Sequence, residues 1–161
     1  KIPGPMIYEQ GNGRLDLEAS YEILKHYTPR ASLVPGALDF SQCPYMWPHC
    51  KQDLYHGAMP FMFNATIVNG MGLTGWLEEA PKWIPESGYA VHLDVRFAFS
   101  EELWPWSGYL ALYIRVKASG KAVQGKASGK ISFTVLSPPG KGETALRRSV
   151  VEVPVTVGVT P

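Results

Sequence analysis

Alternating apolar and polar residues run through most of the chain after Pro29. The alternation is clearest near the end, where every odd-numbered position from 151 to 159 is valine. A period of two residues is typical of β-strands that bury one face. The same period predicts further strands over residues 61–67, 91–99, 110–116 and 131–135, with a weaker one over 31–34.

One turn signal connects two of these predicted strands directly. Asn69-Gly70 is the dipeptide that a type I′ hairpin prefers. Residues 73–77 are therefore predicted to return as the partner of strand 61–67. With about seven strands separated by Gly and Pro turns, the sequence predicts a mainly β fold. We expect an antiparallel β-sandwich of the immunoglobulin or fibronectin type III kind.

Before the strands, one segment has the 3.6-residue period of an amphipathic helix. Its apolar stripe consists of Leu17, Tyr21 and Leu24, widened by Ile23 and Tyr27. Asp16 is a suitable N-cap, and Pro29 ends the pattern. The sequence therefore predicts one short α-helix in front of the sandwich.

Composition narrows the class of protein. The chain has 161 residues, of which 45% are hydrophobic and 18% charged, which is enough to bury a core in one domain. A formal net charge of +1 argues against nucleic acid as a partner, because binding to phosphates needs clustered positive charge. The sequence contains no apolar run of about 18 residues, so no membrane span is predicted. Because the chain begins at Lys1 and closes inside an alternating run, we expect an internal segment of a longer protein.

A low-complexity stretch over residues 118–130, ASGKAVQGKASGK, interrupts the strand pattern. Small residues and lysines without interleaved aromatics are typical of a solvated, flexible segment. The sequence predicts a basic loop at a hairpin tip here.

Cys43 and Cys50 bracket a rigid, proline-flanked loop and allow three interpretations. A local disulfide would close the loop, and it is the interpretation we favour for a chain with two cysteines. A metal site with His49 and His56 would need ligands at adjacent positions, which strains a tetrahedral cage. Two free core thiols are the third interpretation. We predict a disulfide, no metal and no cofactor.

Asn64-Ala65-Thr66 is an N-glycosylation sequon. Asn64 lies on the polar face of predicted strand 61–67, where a glycan would not have to be buried. Glycosylation at Asn64 would agree with a disulfide, because both are typical of the secretory pathway.

Tryptophans provide the remaining candidate binding residues. Trp104 and Trp106, in a Trp-Pro-Trp run, together with Trp76 and Trp83, could form a platform for sugar rings. Large aromatics at strand ends more often cover a sandwich rim or contact a neighbouring domain. We assign Trp47, Trp104 and Trp106 to such a domain contact.

Catalytic chemistry has no recognisable basis in this sequence. The paired acids Glu78-Glu79 and Glu101-Glu102 are adjacent residues, which point to opposite faces of a strand and cannot flank one bond. His56-Gly57 is not followed by a serine in a nucleophile turn. No catalytic residue is therefore predicted.

Several runs resemble a known protein family. They are 8–11 (YEQG), 11–17 (GNGRLDL), 22–24 (EIL), 43–48 (CPYMWP), 69–72 (NGMG) and 103–110 (LWPWSGYL). These runs are similar to segments of the subtilisin-like serine proteases, in particular the site-1 protease branch and, within it, plant members. The resemblance extends from residue 1 to about residue 136.

The resemblance implies two segments. Residues 1–28 would be the last strand and helix of a subtilase catalytic domain, and residues 29–161 the β-sandwich that follows and stabilises it. The Asp, His and Ser triad would lie upstream, so this segment alone would be inactive. The implied parent is an endopeptidase of the secretory lumen, in the Golgi, which cuts membrane-bound transcription factor precursors. Its partners would be the upstream catalytic domain and, through the parent, protein substrates. The alternative is an independent carbohydrate- or protein-binding module.

Overall fold

The computed structural model describes residues 13–40, 54–55, 60–117 and 125–160. In chain order these residues form α1 (Leu17–Lys25), β1 (Ala31–Val34), β2 (Leu38–Phe40), β3 (Leu54–Tyr55), β4 (Phe61–Asn69), β5 (Gly75–Leu77), β6 (Lys82–Pro85), a 3₁₀ helix (Gly88–His92), β7 (Leu93–Phe99), β8 (Glu102–Leu103), β9 (Ser107–Val116), β10 (Gly125–Ser137) and β11 (Arg147–Thr160).

Two sheets face each other across one core. The four-stranded sheet has the order β1-β4-β9-β7. The seven-stranded sheet has the order β2-β11-β10-β5-β8, with β3 attached to β11 and β6 to β10. Between the sheets lie the inward-facing residues of every long strand, for example Ile67, Leu112, Ile131, Phe133 and Val155. This arrangement confirms the predicted β-sandwich with one helix.

The longest strands lie where alternation predicted them. β4, β9, β10 and β11 contain the predicted segments, and β1 has the predicted limits of residues 31 and 34. The segment 91–99 is a strand from Leu93 onward, while its first residues belong to the 3₁₀ helix. Long runs of alternating apolar and polar residues therefore predicted these strands correctly.

The predicted hairpin at Asn69-Gly70 is wrong. β4 pairs with β1 and β9 in the four-stranded sheet, whereas β5, which contains much of segment 73–77, pairs with β10 and β8 in the other sheet. The chain crosses between sheets here, and the buried Asn69 side chain donates a hydrogen bond to the Thr74 carbonyl in the crossing segment. Asn-Gly therefore marks a connection between layers.

The predicted basic loop over 118–130 is wrong for its second half. Residues 125–130 belong to β10 and pair with β11 from Gly125↔Val159 onward. Ala127 is fully buried, and a Cβ atom at Gly129 would lie 2.5 Å from Trp83 Cη2 and 2.6 Å from the Ile84 carbonyl oxygen. The small residues are therefore required by β6 packing closely on this strand. Residues 118–124 lie outside the described part of the chain.

The sequence pattern missed four short strands, β2, β3, β6 and β8, which contain between two and four residues each. β5 lies within the predicted segment 73–77. β2 and β3 also run parallel to β11, so the sandwich is not wholly antiparallel as predicted. Segments this short show too few alternating positions for a period to be recognised.

Helix α1 begins after the predicted N-cap. The Asp16 side chain accepts a hydrogen bond of 3.0 Å from the Ala19 backbone N–H, and His26 is the C-cap. No residue of α1 is buried. Among the described residues, no helix has the length and apolar character needed to cross a membrane.

Candidate functional site

The two tryptophans of the tryptophan loop, residues 104–106, are exposed at the sandwich rim. The side chain of Trp104 is 62% exposed and that of Trp106 is 58% exposed. Trp106 has φ of 58°, a left-handed conformation that is uncommon for a bulky residue and persists only where its surroundings fix it. Two backbone hydrogen bonds do so: Trp106 N–H donates to the Leu73 carbonyl over 3.0 Å, and the Trp106 carbonyl accepts from Asn69 N–H over 2.6 Å.

Beneath the loop lies a buried polar cluster, which we call the Asn69 junction: Asn69, Met71, Thr74 and Ser137. The Asn69 amide group donates to the Thr74 carbonyl and to Ser137 Oγ, each over 3.1 Å, and its Oδ1 accepts from Met71 N–H over 3.1 Å. Asn69 is 1% exposed. Because Ser137 ends β10 and Asn69 ends β4, this one side chain joins the two sheets.

A glycine makes room for the junction. A Cβ atom on Gly75 would lie 2.5 Å from Asn69 Nδ2 and 2.9 Å from the Leu136 carbonyl oxygen. Any larger residue at the start of β5 would therefore displace the Asn69 amide or the β10 backbone.

An ion pair on the surface extends the junction. Arg147 Nη1 donates to the Met71 carbonyl over 2.6 Å, while its Nε and Nη2 donate to the Glu143 carboxylate over 2.7 and 2.8 Å. The hydrogen bonds from Arg147, followed by that from Gly140 N–H, lower the pKa of Glu143 to about 2. The same pairing raises the pKa of Arg147. Together these bonds tie the β10–β11 connection to the loop that follows β4.

Asn64 lies on the outer face of the four-stranded sheet, as predicted, and is exposed. It pairs with Ala111 of β9, which pairs in turn with Ala98 of β7. Two alanines therefore follow the sequon asparagine across the sheet, of which Ala111 is buried and Ala98 is half-buried.

On the same outer face lies a surface pocket of about 380 Å³, which we call the Arg–Tyr pocket. It is lined by Pro60, Asp94, Arg96, Phe97, Tyr113 and Arg115. Arg115 Nε and Nη2 both lie 2.7 Å from Asp94 Oδ2, and Arg96 Nε lies 3.4 Å from the same oxygen. The hydrogen bond from Arg115 is the largest cause that lowers the pKa of Asp94.

The apolar stripe of α1 is wholly exposed. Leu17, Tyr21 and Leu24 are 77%, 62% and 69% exposed, and Ile23 and Tyr27 add to the same surface. A continuous apolar helix face of this kind is unusual on a protein surface and is typical of a contact with another domain or protein.

The sequence-predicted residues are not all brought together. Trp104 and Trp106 share one loop, and Asn64 lies on the outer face of the four-stranded sheet. Trp83 is half-buried against Gly129, and Trp76 is half-buried in β5, so neither belongs to an exposed platform. Cys43, Trp47 and Cys50 lie outside the described residues, as do His49 and His56 of the alternative metal site.

Reactive clusters are absent from the part of the chain that the structure describes. No group of three or more His, Cys, Asp or Glu side chains there could hold a metal ion. The Ser100 hydroxyl accepts a hydrogen bond from Tyr109 N–H, and Ser107 Oγ donates to the Pro105 carbonyl, so both serve local structure.

Sequence reasoning missed the Asn69 junction and the Arg–Tyr pocket. Asn69-Gly70 is a local signal for a turn, whereas the hydrogen-bond partner of Asn69, Ser137, lies 68 positions away. Asp94 on β7 and Arg115 on β9 are paired residues of opposite charge. Such cross-strand charge pairs could have indicated the pocket from the sequence.

Comparison with known proteins gives consistent matches. A family profile described as "MBTPS1, third Ig-like domain" matches residues 34–161. The chain is 47% identical over 161 residues to a subtilisin-like protease, SBT6.1, of Arabidopsis thaliana. It is 44% identical over 169 residues to the membrane-bound transcription factor site-1 protease of Rattus norvegicus, and 43% to that of Homo sapiens. Each match covers 100% of this chain but 16% of the relative, so the chain spans about one sixth of their length.

Proposed function

The chain belongs to the family of third Ig-like domains of site-1 proteases, and from this we propose that it is a non-catalytic accessory segment. It stabilises the catalytic domain of a subtilisin-like serine endopeptidase, the site-1 protease type that processes membrane-bound transcription factor precursors. Residues 1–28 belong to the catalytic domain, and residues 29–161 form the supporting sandwich.

The exposed apolar stripe of α1 carries this proposal. Burying Leu17, Tyr21 and Leu24 would remove a large apolar area from water, and each such side chain stabilises a contact by about 1.5–3 kcal/mol. An isolated helix of nine residues is marginal in water, so α1 depends on packing against something else. A catalytic domain that covers the stripe would supply that contact.

The tryptophan loop supports a second contact. Two hydrogen bonds, to the Leu73 carbonyl and from Asn69 N–H, hold the Trp106 backbone in place, so this part of the loop loses little backbone freedom on binding. Trp104 is exposed on the same loop. Aromatic residues mounted in this way are typical of interface anchors. Trp47 belongs to the same proposed contact.

The proposed location is the lumen of the secretory pathway, in the Golgi, with a membrane-anchored parent. A disulfide between Cys43 and Cys50 and a glycan on Asn64 belong to this proposal. Loss of a native disulfide from a secreted domain costs about 2–5 kcal/mol. An unchanged melting temperature in Cys43→Ser would rule out the disulfide.

The test uses the full-length parent. Cleavage of an arginine-containing peptide and thermal unfolding would be compared between the complete protein and a form that ends at Thr28. We expect loss of both activity and thermal stability in the truncated form. A sharper version replaces Leu17 and Leu24 by Ser in the complete protein, with Glu18→Gln and Glu22→Gln on the same helix as the matched control. Unchanged activity and unfolding in the leucine variant would contradict the proposal.

The alternative of an independent binding module is favoured by the exposure of Trp104 and Trp106. Two indoles on one fixed loop can stack on the apolar faces of sugar rings or on a protein partner. A glycan array separates the two functions: selective binding that is lost in Trp104→Ala and kept in Trp83→Phe supports a carbohydrate-binding module.

A further inference from the structure

Asn64 and the Arg–Tyr pocket occupy neighbouring rows of one sheet face. Asn64 pairs with Ala111, and two residues further along β9 Tyr113 pairs with Met62 on β4 and with Arg96 on β7. Diagonal neighbours on paired strands have Cα atoms about 7–8 Å apart, which is the expected distance from Asn64 to Tyr113. A sugar ring attached to the Asn64 side chain therefore begins within reach of the pocket.

Two small residues follow Asn64 in its own row of the sheet. Ala111 is 8% exposed and Ala98 is half-buried, and both follow Asn64 across the sheet. We call this row of two small residues the Ala98–Ala111 shelf, and Tyr113 and Arg96 form the next row of the same face.

The pocket surface is mostly apolar with a few polar groups, which suits a neutral ligand that has both apolar faces and hydroxyl groups. Tyr113 offers an apolar ring face, the guanidinium groups of Arg96 and Arg115 offer N–H donors, and the Asp94 carboxylate offers acceptors. Hydroxyl groups can use both donors and acceptors, and an acetamido carbonyl can accept from a guanidinium. A volume of about 380 Å³ lies within the range of small-ligand sites.

A free anion fits less well. Asp94 already accepts hydrogen bonds from Arg115 and lies 3.4 Å from Arg96 Nε, so one negative charge is present between the two cations. A phosphate or carboxylate would have to approach that charge closely. A neutral sugar meets no such repulsion.

We propose that the carbohydrate attached to Asn64 docks on its own domain, with its N-acetylglucosamine core over the Ala98–Ala111 shelf and in the Arg–Tyr pocket. This inference rests on the proposed glycosylation of Asn64. The docked glycan covers the outer face of β9 and β7, which protects the core sugars from glycosidases and shields this face of the sandwich.

Occupancy is measured first, in the full-length protein expressed through the secretory pathway. Peptide N-glycosidase treatment should give one band shift fewer in Asn64→Gln than in the unchanged protein. If the two proteins shift equally, Asn64 carries no glycan, and both the glycosylation proposal and the docking proposal fail.

Docking is then measured as the rate at which an endoglycosidase cuts the core of the Asn64 glycan in the folded protein, followed by mass spectrometry of that site. We expect Tyr113→Ala to raise the rate roughly two- to tenfold, the factor that one aromatic contact is worth. Arg96→Ala is the second pocket variant, because a side chain 70% exposed can be removed without unfolding the sheet.

Tyr109→Ala is the matched control. Tyr109 lies on the same face of β9, two residues from Ala111 in the opposite direction, and is 55% exposed, but it does not line the pocket. It should leave the rate unchanged. An occupied Asn64 with equal rates in all variants, or a rate raised only in Tyr109→Ala, overturns docking while glycosylation stands. Unchanged rates combined with binding of inorganic phosphate by the deglycosylated protein would assign the pocket to an anion and also overturn it.

Discussion

The β-sandwich and helix α1 have the same kind of amphipathic pattern but opposite burial. In the sandwich, the apolar face of each long strand meets the other sheet, and residues such as Leu112 are fully buried. In α1 the apolar stripe is largely exposed, and Leu17 is 77% exposed. An amphipathic pattern therefore shows that an element needs a partner, but the pattern alone does not show where that partner lies.

The comparison also separates two sources of stability. Sandwich strands are held by packing that the chain supplies to itself. The helix has local support from its Asp16 N-cap, a contribution of about 0.5–2 kcal/mol, and its stripe is available to another domain.

Matched leucine-to-alanine substitutions give the largest contrast. Leu112→Ala removes a fully buried side chain between the sheets and should lower the free energy of unfolding by about 2–5 kcal/mol. Leu17→Ala in the same 161-residue chain should change it by less than about 0.5 kcal/mol, because the side chain is exposed. Urea unfolding followed by tryptophan fluorescence measures both. Similar losses in the two variants would show that α1 packs on the sandwich after all.

Two asparagines on β4 provide the next contrast. Asn69→Ala removes three hydrogen bonds and leaves the buried Met71 N–H without its acceptor, so we expect a loss of about 1–3 kcal/mol. Ser137 Oγ keeps its own hydrogen bond to the Thr74 carbonyl. Asn64→Ala on the same strand, in protein made without glycosylation, should be nearly neutral because Asn64 is exposed.

The Asn69 substitution should also release the tryptophan loop. Hydrogen exchange at Trp106 N–H, which is bonded to the Leu73 carbonyl, should accelerate in Asn69→Ala but not in Asn64→Ala. If unfolding free energy and exchange respond equally in the two variants, the junction does not join the sheets.

Two glycines test whether β6 packs closely on residues 125–130 of β10. Gly129→Ala places a Cβ atom 2.5 Å from Trp83 Cη2 and should cost about 1–3 kcal/mol through overpacking. At Gly36 the nearest atom to a Cβ would be 3.8 Å away, so Gly36→Ala should be neutral or slightly stabilising. Thermal unfolding of the two variants measures the difference. A neutral Gly129→Ala would contradict the close packing of β6 on β10.

The features that the sequence predicts are those determined by residues that lie close together in the chain. Long alternating runs such as 151–159 define a strand by themselves, because every second residue reports the buried face. The Asp16 N-cap and the exposed face of Asn64 are likewise properties of a few neighbouring residues.

What the sequence did not predict depends on contacts between distant residues. The role of Asn69 depends on Ser137, 68 positions away, and the need for glycine at 129 depends on Trp83 in another strand. Asn69-Gly70 predicted a hairpin and the low-complexity stretch predicted a loop. In both places contacts with distant residues determine the structure instead. The Trp-Pro-Trp run is enough to predict the exposed tryptophan loop. The hydrogen bonds of Trp106 to Leu73 and Asn69 could not be predicted, because those residues are distant in the chain.

The smallest predicted effect concerns pH and the ion pair beside the Asn69 junction. Because Arg147 lowers the pKa of Glu143 from 4.5 to about 2, the ionised carboxylate is favoured by folding. Its stabilising contribution is complete above about pH 4.5 and is lost as the pH falls through the range toward 2. Glu143→Gln should therefore differ from the unchanged protein in unfolding free energy at pH 6 and converge with it near pH 2. An NMR titration of the Glu143 side chain measures the pKa directly. A midpoint near 4.5 would show that the pair does not persist in solution, and the connection between β10 and β11 would then be held by the sheet alone.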